Sequence, residues 1–547
     1  MVTGPRRVRV TTPPQRLTTA SHVRASGAAI VASVTDAIAP TPFARLEAEW
    51  AELHLAFEAR VVAWHRGLPA ADDDYPVRRQ AFAQTLAAFD DVGLSAEERG
   101  GLTCIRSALG FLDEVEPVEG VVAGDEPARP AESPVVAALR RATYEAYGQA
   151  AAAIEFAGET IDRLTAFSRL ATVDDQAERR ALFEAMEPVW RAVDGGGGVT
   201  SPYARLVAAS AERWARAGST VEANAAVLGV PRGAFEPMLH AILAEGRRVL
   251  ADAAGLRPGG RVEPWDYRYV VGAAERRLRE AVPLARLQPI NDAHLRSLGA
   301  DPDELAIGYD IAPRPGRPVI PVAFTTGGRP GPWVFATYRE GGLGNLAELL
   351  HESGHAIHYA AIRTRPAFAE PPNDHAAFFE AIGELVGWDV GEPSFQDHHF
   401  GVSIEPHLAS LDRYGGVLLD ACWALFEIEL HRSPGRRPND VWSEVVADGL
   451  GIEPHPEWSW WAVRGQLIDS PGYLANYVLA AIAAAALRAR IRSLRGDWST
   501  GDAGWYAFVS ERLLRFGGQR SPADLIAELL GGPLTAEPVL DDLRRAG

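Results

Sequence analysis

Residues 351–355 read His-Glu-Ser-Gly-His, and their types and spacing could do chemistry. Two histidines four apart on a helix share one face, so both imidazoles can reach one ion. Glu352 stands beside the first, placed to take a proton from water on that ion without binding the ion itself. Donors of this type suit zinc, which lowers the pKa of such a water toward about 7 and makes a nucleophile at neutral pH. A catalytic zinc site also needs a third protein ligand and an open position. Downstream, "DHAAFFEAIGELVGWDV" sets Glu380 and Glu384 four apart on one face of a second helix, and the Pro-rich loop 365–373 lets that helix fold back on the first. Glu380 would then complete the set, with Glu384 one turn on to accept the second N–H of a ligand histidine and fix its tautomer. Asp374, His375 and Glu370 stand as rival third ligands. His358 lies about 60° around the helix from His355 and reads as packing or a supporting contact. The plain alternative is a helix with two packed histidines. Gly354 argues against it, because glycine inside a helix costs about 1 kcal/mol relative to alanine; something must pack close at that turn.

The elements that carry these residues are mostly helical. Leu346, Leu349, Leu350, Ile357 and Ile362 give the motif helix an apolar stripe, the spacing expected of a face turned to a core. Just upstream, "AIGYDIAP", "PVIPVAFTT" and "GPWVFATYRE" are aromatic and β-branched runs bounded by Gly and Pro, and they predict a small antiparallel sheet. Its strand 333–338 could offer an edge to an extended peptide, with Tyr338 as a candidate substrate contact; a purely structural hairpin fits equally well. Helical spacing begins at Pro42 and runs to about Val193, broken by a Pro- and acid-rich loop near 117–134. The run "DGGGG" at 194–198 is the strongest break. The expected organisation is a disordered tail over 1–40, a helical region over 41–193 and a catalytic region over 199–547, the last two able to form one body. "YLANYVLAAIAAAAL" at 473–487 is too short and alanine-rich for a membrane span, and reads as a buried helix.

Composition removes whole classes of function. A net charge of −18 repels phosphates, so nucleic acid is not the expected partner. With 47% hydrophobic and 23% charged residues the chain is globular. It has no lysine, a compositional bias of its source. Its 2 cysteines, Cys104 and Cys422, form no CxxC, so a metal must rest on carboxylates and some of the 14 histidines. Residues 1–35 lack Asp and Glu and are only weakly transit-like; nothing there resembles a secretory signal, and a cytoplasmic location is expected.

The spacing from His351 to Glu380 and the run "EAIGE" at 380–384 resemble the thimet oligopeptidase and oligoendopeptidase F family of M3-type zinc metallopeptidases. "FFEAIGE" is also similar to a helix of angiotensin-converting enzyme. "PWDYRYV" at 264–270 resembles the family's Trp-Asp segment and "SPGYLANYVLAAI" at 470–482 its tyrosine segment. The resemblance implies a helical, two-lobed zincin-type body with a deep channel. It selects Glu380 as the third ligand of one zinc ion and assigns Tyr473 and Tyr477 as donors to the oxyanion. It implies hydrolysis of short peptides, with Glu352 as the base. Three positions depart from the family: Ile468 where it often has His, Ala480 in place of a third Tyr, and Val270 in place of a second Tyr in the Trp-Asp segment. His455, in "EPHPEWSWW", is the nearest upstream His that could substitute for the first.

Other readings share these residues. An exopeptidase releasing C-terminal dipeptides needs a cation for the free carboxylate, and Arg339 and Arg464 are candidates. A zinc hydrolase of a non-peptide amide would have the same site. A helical binding protein retaining a metal is the least favoured, because Glu352 is kept. The sequence leaves oligomeric state open.

Overall fold

The computed structural model describes residues 41–546 apart from short stretches at 70–73, 116–132, 197, 199, 218–219, 256–259, 318, 321, 328–330 and 371–374. The tail read over 1–40 and the rival ligand Asp374 lie outside the described residues.

Three N-terminal helices, α1 (Pro42–His65), α2 (Tyr75–Ala87) and α3 (Ala96–Val115), build a small core of their own. Helix α1 opens with Thr41, whose hydroxyl accepts from the Ala44 N–H at 3.1 Å, and with Pro42 in the first turn. Phe43, Leu46, Trp50 and Leu53 then bury one stripe against Phe82, Leu86, Leu102 and Ile105. This core closes on Ala367 and Phe368, which lie far along the chain. Arg365 fixes the junction: its guanidinium donates to Glu47 at 2.8 and 2.6 Å, and the Ala367 N–H reaches the same carboxylate at 3.1 Å.

A second, much larger core runs without interruption from Tyr147 to Leu543. The boundary expected at 194–198 does not divide it. Val189, Trp190 and Val193 before the glycines share it with Tyr203 and Leu206 after them. Gly195, at φ 63°, simply ends the helix Glu187–Asp194 in the left-handed conformation that glycine tolerates. The division the packing supports lies earlier, after α3. One segment expected to be helical is a hairpin, β1 (Ile154–Phe156) and β2 (Glu159–Ile161). Ala157 and Gly158 turn it with φ of 51° and 83°, the two positive values that a two-residue turn between twisted strands needs.

The small sheet before the metal motif has three strands, β3 (Gly308–Asp310), β4 (Phe324–Thr326) and β5 (Trp333–Phe335), in the order β3-β5-β4. Strands β4 and β5 pair antiparallel as the sequence suggests, but β3 joins β5 in parallel. The central strand is therefore β5, so the edge expected at 333–338 is already paired on both sides. The free edge nearest the site belongs to β4.

Four further helices frame the site: α4 (Leu343–Ala361), α5 (Ala376–Gly387), α6 (Pro406–Arg432) and α7 (Leu474–Arg495). By length and composition α7 could cross a membrane, yet 83% of its apolar window is buried in the protein, as befits a core helix. Its alanines, Ala480 to Ala486, are all buried and keep it slim enough to lie against α5. The far end of α5 is anchored by charge. Asp389, fully buried just beyond it, accepts from His294 Nε2 at 2.8 Å, Arg488 at 2.8 Å and Trp498 Nε1 at 3.1 Å. Arg488 also donates to the Leu385 carbonyl at 2.6 Å and to Glu392 at 2.9 Å. Arg413 adds a 2.8 Å bond to Glu392.

Burial alone would raise the Glu392 pKa, but Arg413, Arg488 and Arg492 bring it down to about 2. The unfolded chain takes up this proton near the ordinary value of about 4.3, before the folded chain does. The group therefore stabilises the fold above that pH, and its contribution is lost as pH falls toward about 2. The expected loss is at most about 3 kcal/mol. Urea unfolding at pH 7, 4 and 3 should show Glu392→Gln less stable than wild type at pH 7, with the gap closing as pH falls; a gap independent of pH would contradict the assignment.

Candidate metal centre

Helix α4 begins after Gly342 (φ 116°), where Glu275 caps it by accepting the Gly344 N–H at 2.9 Å. Its apolar stripe, Leu343, Leu346, Leu349, Leu350 and Ile357, is buried, which turns the motif face toward α5. The two helices run antiparallel and very close. A Cβ added at Gly354 would stand 2.9 Å from the Gly383 Cα and carbonyl oxygen, and one at Gly383 would stand 2.7 Å from the His351 ring. Gly387 faces the His351 Cβ at 3.1 Å in the same way. Further along, His355 stacks on Phe379 at 4.1 Å with the rings 6° from parallel. The neighbour that Gly354 demands is thus another glycine.

This approach brings one donor atom each from His351, His355 and Glu380 within 4.8 Å of one another. The two Nε2 atoms are 3.0 Å apart, and His351 Nε2 is 3.4 Å from Glu380 Oε2. Ligands about 2.0–2.1 Å from a tetrahedral zinc ion stand about 3.3 Å from each other, so the donor set fits the metal. His351 and Glu380 keep 17% and 21% of their side-chain surface open, while His355 is buried. Glu384 lies 3.4 Å from His351 Nδ1, on the side of the ring away from His355, where it favours the tautomer that leaves Nε2 free. Burial alone would lower the His351 pKa, but Glu384 and Glu380 hold it well above the ordinary imidazole value. His355 is held well below it by burial and by His351, and burial takes His358 to about 4. His358 is a packed neutral ring beside Phe378 and Phe379.

Glu352 is 7% exposed. Its burial, reinforced by the Glu380 and Glu348 carboxylates and opposed by His351 and Thr325, raises its pKa to about 7. Thr325, on the β4 edge, has its hydroxyl oxygen 2.7 Å from Glu352 Oε2 and 2.8 Å from the Glu352 carbonyl oxygen. A hydroxyl has one proton. Thr325 shares it between the Glu352 carboxylate and the Glu352 carbonyl, and its donation to Oε2 favours the ionised carboxylate against the effect of burial.

Tyr473, at the start of α7, places its hydroxyl 3.5 Å from Glu380 Oε1. Tyr477 packs edge-on against it, with ring centroids 5.6 Å apart. Burial and the Glu380 charge raise both phenols, Tyr477 to about 12. Arg464 lies over the Tyr477 ring at 5.4 Å and pairs with Asp420 at 3.1 Å.

Several sequence candidates lie apart. His455 has its nitrogens 2.7 Å from Glu457 and 3.1 Å from Glu263 and stacks on Trp458, so it does not fill the place left by Ile468, which is itself fully buried. Tyr338 is 5% exposed, walled into the core beside Glu348, and is no substrate contact. Glu370 belongs to a different cluster with His54 and Glu58, and His375 forms the cap position of α5. Thr325 was not singled out from the sequence: a threonine in a β-branched run signals only a strand. The pair Gly383 and Gly387, four apart in α5, was a readable sign of close helix approach.

No family model matches the chain. Over 222 residues it is 23% identical to the mitochondrial intermediate peptidase of Schizosaccharomyces pombe, a match covering 38% of this chain and only 28% of that relative. Among solved structures it is similar to an M32 carboxypeptidase of Deinococcus radiodurans R1, with 16% identity, TM-score 0.56 and coverage of 92% of this chain and 97% of that one. Metallocarboxypeptidase 1 of Trypanosoma cruzi gives 16% identity, TM-score 0.55, and 92% and 99% coverage. A Bacillus anthracis protein assigned as oligoendopeptidase F gives 15%, 0.55, 87% and 85%.

The glycine seam makes a direct prediction. Gly383→Ala drives a methyl into the His351 ring and should lower zinc affinity at least about tenfold and stability by about 1–3 kcal/mol, read by zinc titration and thermal unfolding. Gly416→Ala, with nothing within 4 Å of the added carbon, should leave affinity unchanged and stabilise by about 0.5–1 kcal/mol. Equal behaviour of the two variants would remove the seam from the account. The match in architecture agrees with the resemblance read from the sequence, and the chain has the helical fold of the zincin-type metallopeptidases.

Proposed function

We propose that this chain is a zinc-dependent peptidase that hydrolyses short peptides. The observation that carries the reading is the convergence of His351, His355 and Glu380 within 4.8 Å, with a buried carboxyl, Glu352, beside them and a tyrosine hydroxyl 3.5 Å from the third ligand. The carboxypeptidases and oligoendopeptidase that share the fold support a peptide substrate.

His351, His355 and Glu380 would hold one zinc ion. When bound, it supplies a Lewis acid for the scissile carbonyl and acidifies the attacking water. Glu352 takes the proton from that water on its carboxylate and returns it to the leaving amine. A carboxyl with pKa about 7 is matched to accepting and releasing a proton near neutrality. Thr325 holds Glu352 Oε2 in place through the cycle. Tyr473 donates its hydroxyl to the developing oxyanion, with Tyr477 as the second candidate, because a preorganised donor stabilises that charge more than it stabilises the ground state. The chain's net charge of −18 favours neutral or cationic peptides.

A second reading, release of C-terminal dipeptides, draws on Arg464 against the Tyr477 ring, which would have to exchange its Asp420 partner for the substrate carboxylate.

The test is digestion of a mixed peptide library by wild type, Glu352→Gln and Tyr473→Phe, with zinc content measured in each. Glu352→Gln should keep its zinc and lose cleavage by at least about a hundredfold. Tyr473→Phe should keep zinc and fold and lose kcat by about 10²–10³. Wild-type cleavage rates in Glu352→Gln would refute the assigned base. C-terminally amidated peptides separate the two readings: internal cleavage persists with them, whereas C-terminal release slows in wild type and slows no further in Arg464→Gln.

A further inference from the structure

A second constellation stands where the N-terminal core meets the site helices. His54 and Glu58 are four apart on α1 and share a face. Glu370 follows the short turn Pro366–Phe368. His54 Nε2 lies 3.7 Å from Glu58 Oε1 and 3.5 Å from Glu370 Oε2, and one ligand atom from each residue lies within 4.8 Å of the others. Hydrogen bonds between such groups would be about 2.7–3.2 Å long. The separations here are wider and approach the roughly 3.3 Å between donors that share one ion with bonds of about 2.1 Å.

The surroundings prepare the same geometry. Glu58 is only 5% exposed. Its Oε2 is taken by the Thr326 hydroxyl, and its Oε1 is aimed at His54 with no hydrogen bond of its own among the described residues. Tyr359, on α4, donates to Glu370 Oε1 at 3.3 Å and leaves Oε2 facing the imidazole. Among the described residues no arginine pairs with either carboxyl group, so a single imidazole faces both, and burial together with the Glu370 carboxylate raises the Glu58 pKa to about 7. Burial of Glu58 makes that imbalance costly. A divalent cation would remove it.

We propose that His54, Glu58 and Glu370 form a second metal site, for a divalent first-row transition ion such as zinc or manganese, that clasps α1 to the site helices. One imidazole with two carboxylates suits these ions better than calcium or magnesium, which take oxygen ligands. The ion is structural. It ties α1 to the segment after Phe368, while Thr326 and Tyr359 hold its ligands from β4 and α4. The site is independent of the peptidase reading and stands if that reading fails.

Metal analysis of the full chain, loaded with Zn²⁺ and desalted, tests it together with thermal unfolding. Wild type should carry two ions per chain. His351→Ala/His355→Ala should carry one, and its Tm should rise by about 5 °C on adding Zn²⁺. Glu58→Gln/Glu370→Gln should also carry one, and the four-fold combination none, with no shift in Tm. One ion in wild type together with none in His351→Ala/His355→Ala would overturn the proposal, since protons would then balance the carboxylates. If the Glu58→Gln/Glu370→Gln pair does not fold, His54→Gln alone, made in the His351→Ala/His355→Ala background, should weaken Zn²⁺ binding at least tenfold. Unchanged affinity there would overturn the proposal as well.

Discussion

The close passage of α4 over α5 is the constraint on which the rest depends. Three glycines let the two backbones come within contact of each other, and His351 sits in the groove they leave. A side chain at any of these positions would part the helices, and Glu380 would move away with α5. The proposed ligand set therefore depends on residues that carry no chemistry. Stacking of His355 on Phe379 fixes the second ring along the same seam, and the slim alanine face of α7 lets Tyr473 reach Glu380 from the other side.

Two kinds of charge arrangement support this passage. Behind α5, Asp389 and Glu392 accept hydrogen bonds from Arg488 and Arg413, while the buried Arg413 Nε and His294 Nδ1 have no partner among the described residues. Such a network stabilises chiefly because leaving any one member unpaired would be costly. Around Glu352 the opposite holds. Among the described residues no arginine approaches it, burial dominates, and the carboxyl has its pKa raised to about 7. The two carboxylates of that network are held ionised, and Glu352 is not.

Much of the site could be read from the sequence because helical periodicity is local. The four-residue spacings of His351 to His355 and Glu380 to Glu384 fix which residues share a face before any tertiary contact is known. Gly354 announced a close neighbour, though not that the neighbour was Gly383. What could not be read was set by pairing across long distances. The order β3-β5-β4 makes β5 central and β4 the edge, and strand propensity carries no information about that. Thr325 earned no attention for the same reason. His455 looked available only because Glu263, nearly two hundred residues away, could not be seen to pair with it. The glycine run at 194–198 read as either a domain linker or a loop on one body, since composition does not distinguish a helix stop from a domain boundary.

The junction at Arg365–Phe368 has a consequence for the molecule as a folding unit. The segment that links the two ligand helices is also the floor of the small core made by α1 to α3. Strip those helices away by proteolysis and Phe368 meets water, Arg365 loses its carboxylate, and the tether between α4 and α5 slackens. The N-terminal helices therefore act as a brace on the connection between α4 and α5, and the proposed activity and N-terminal integrity should decay together in aged or nicked material.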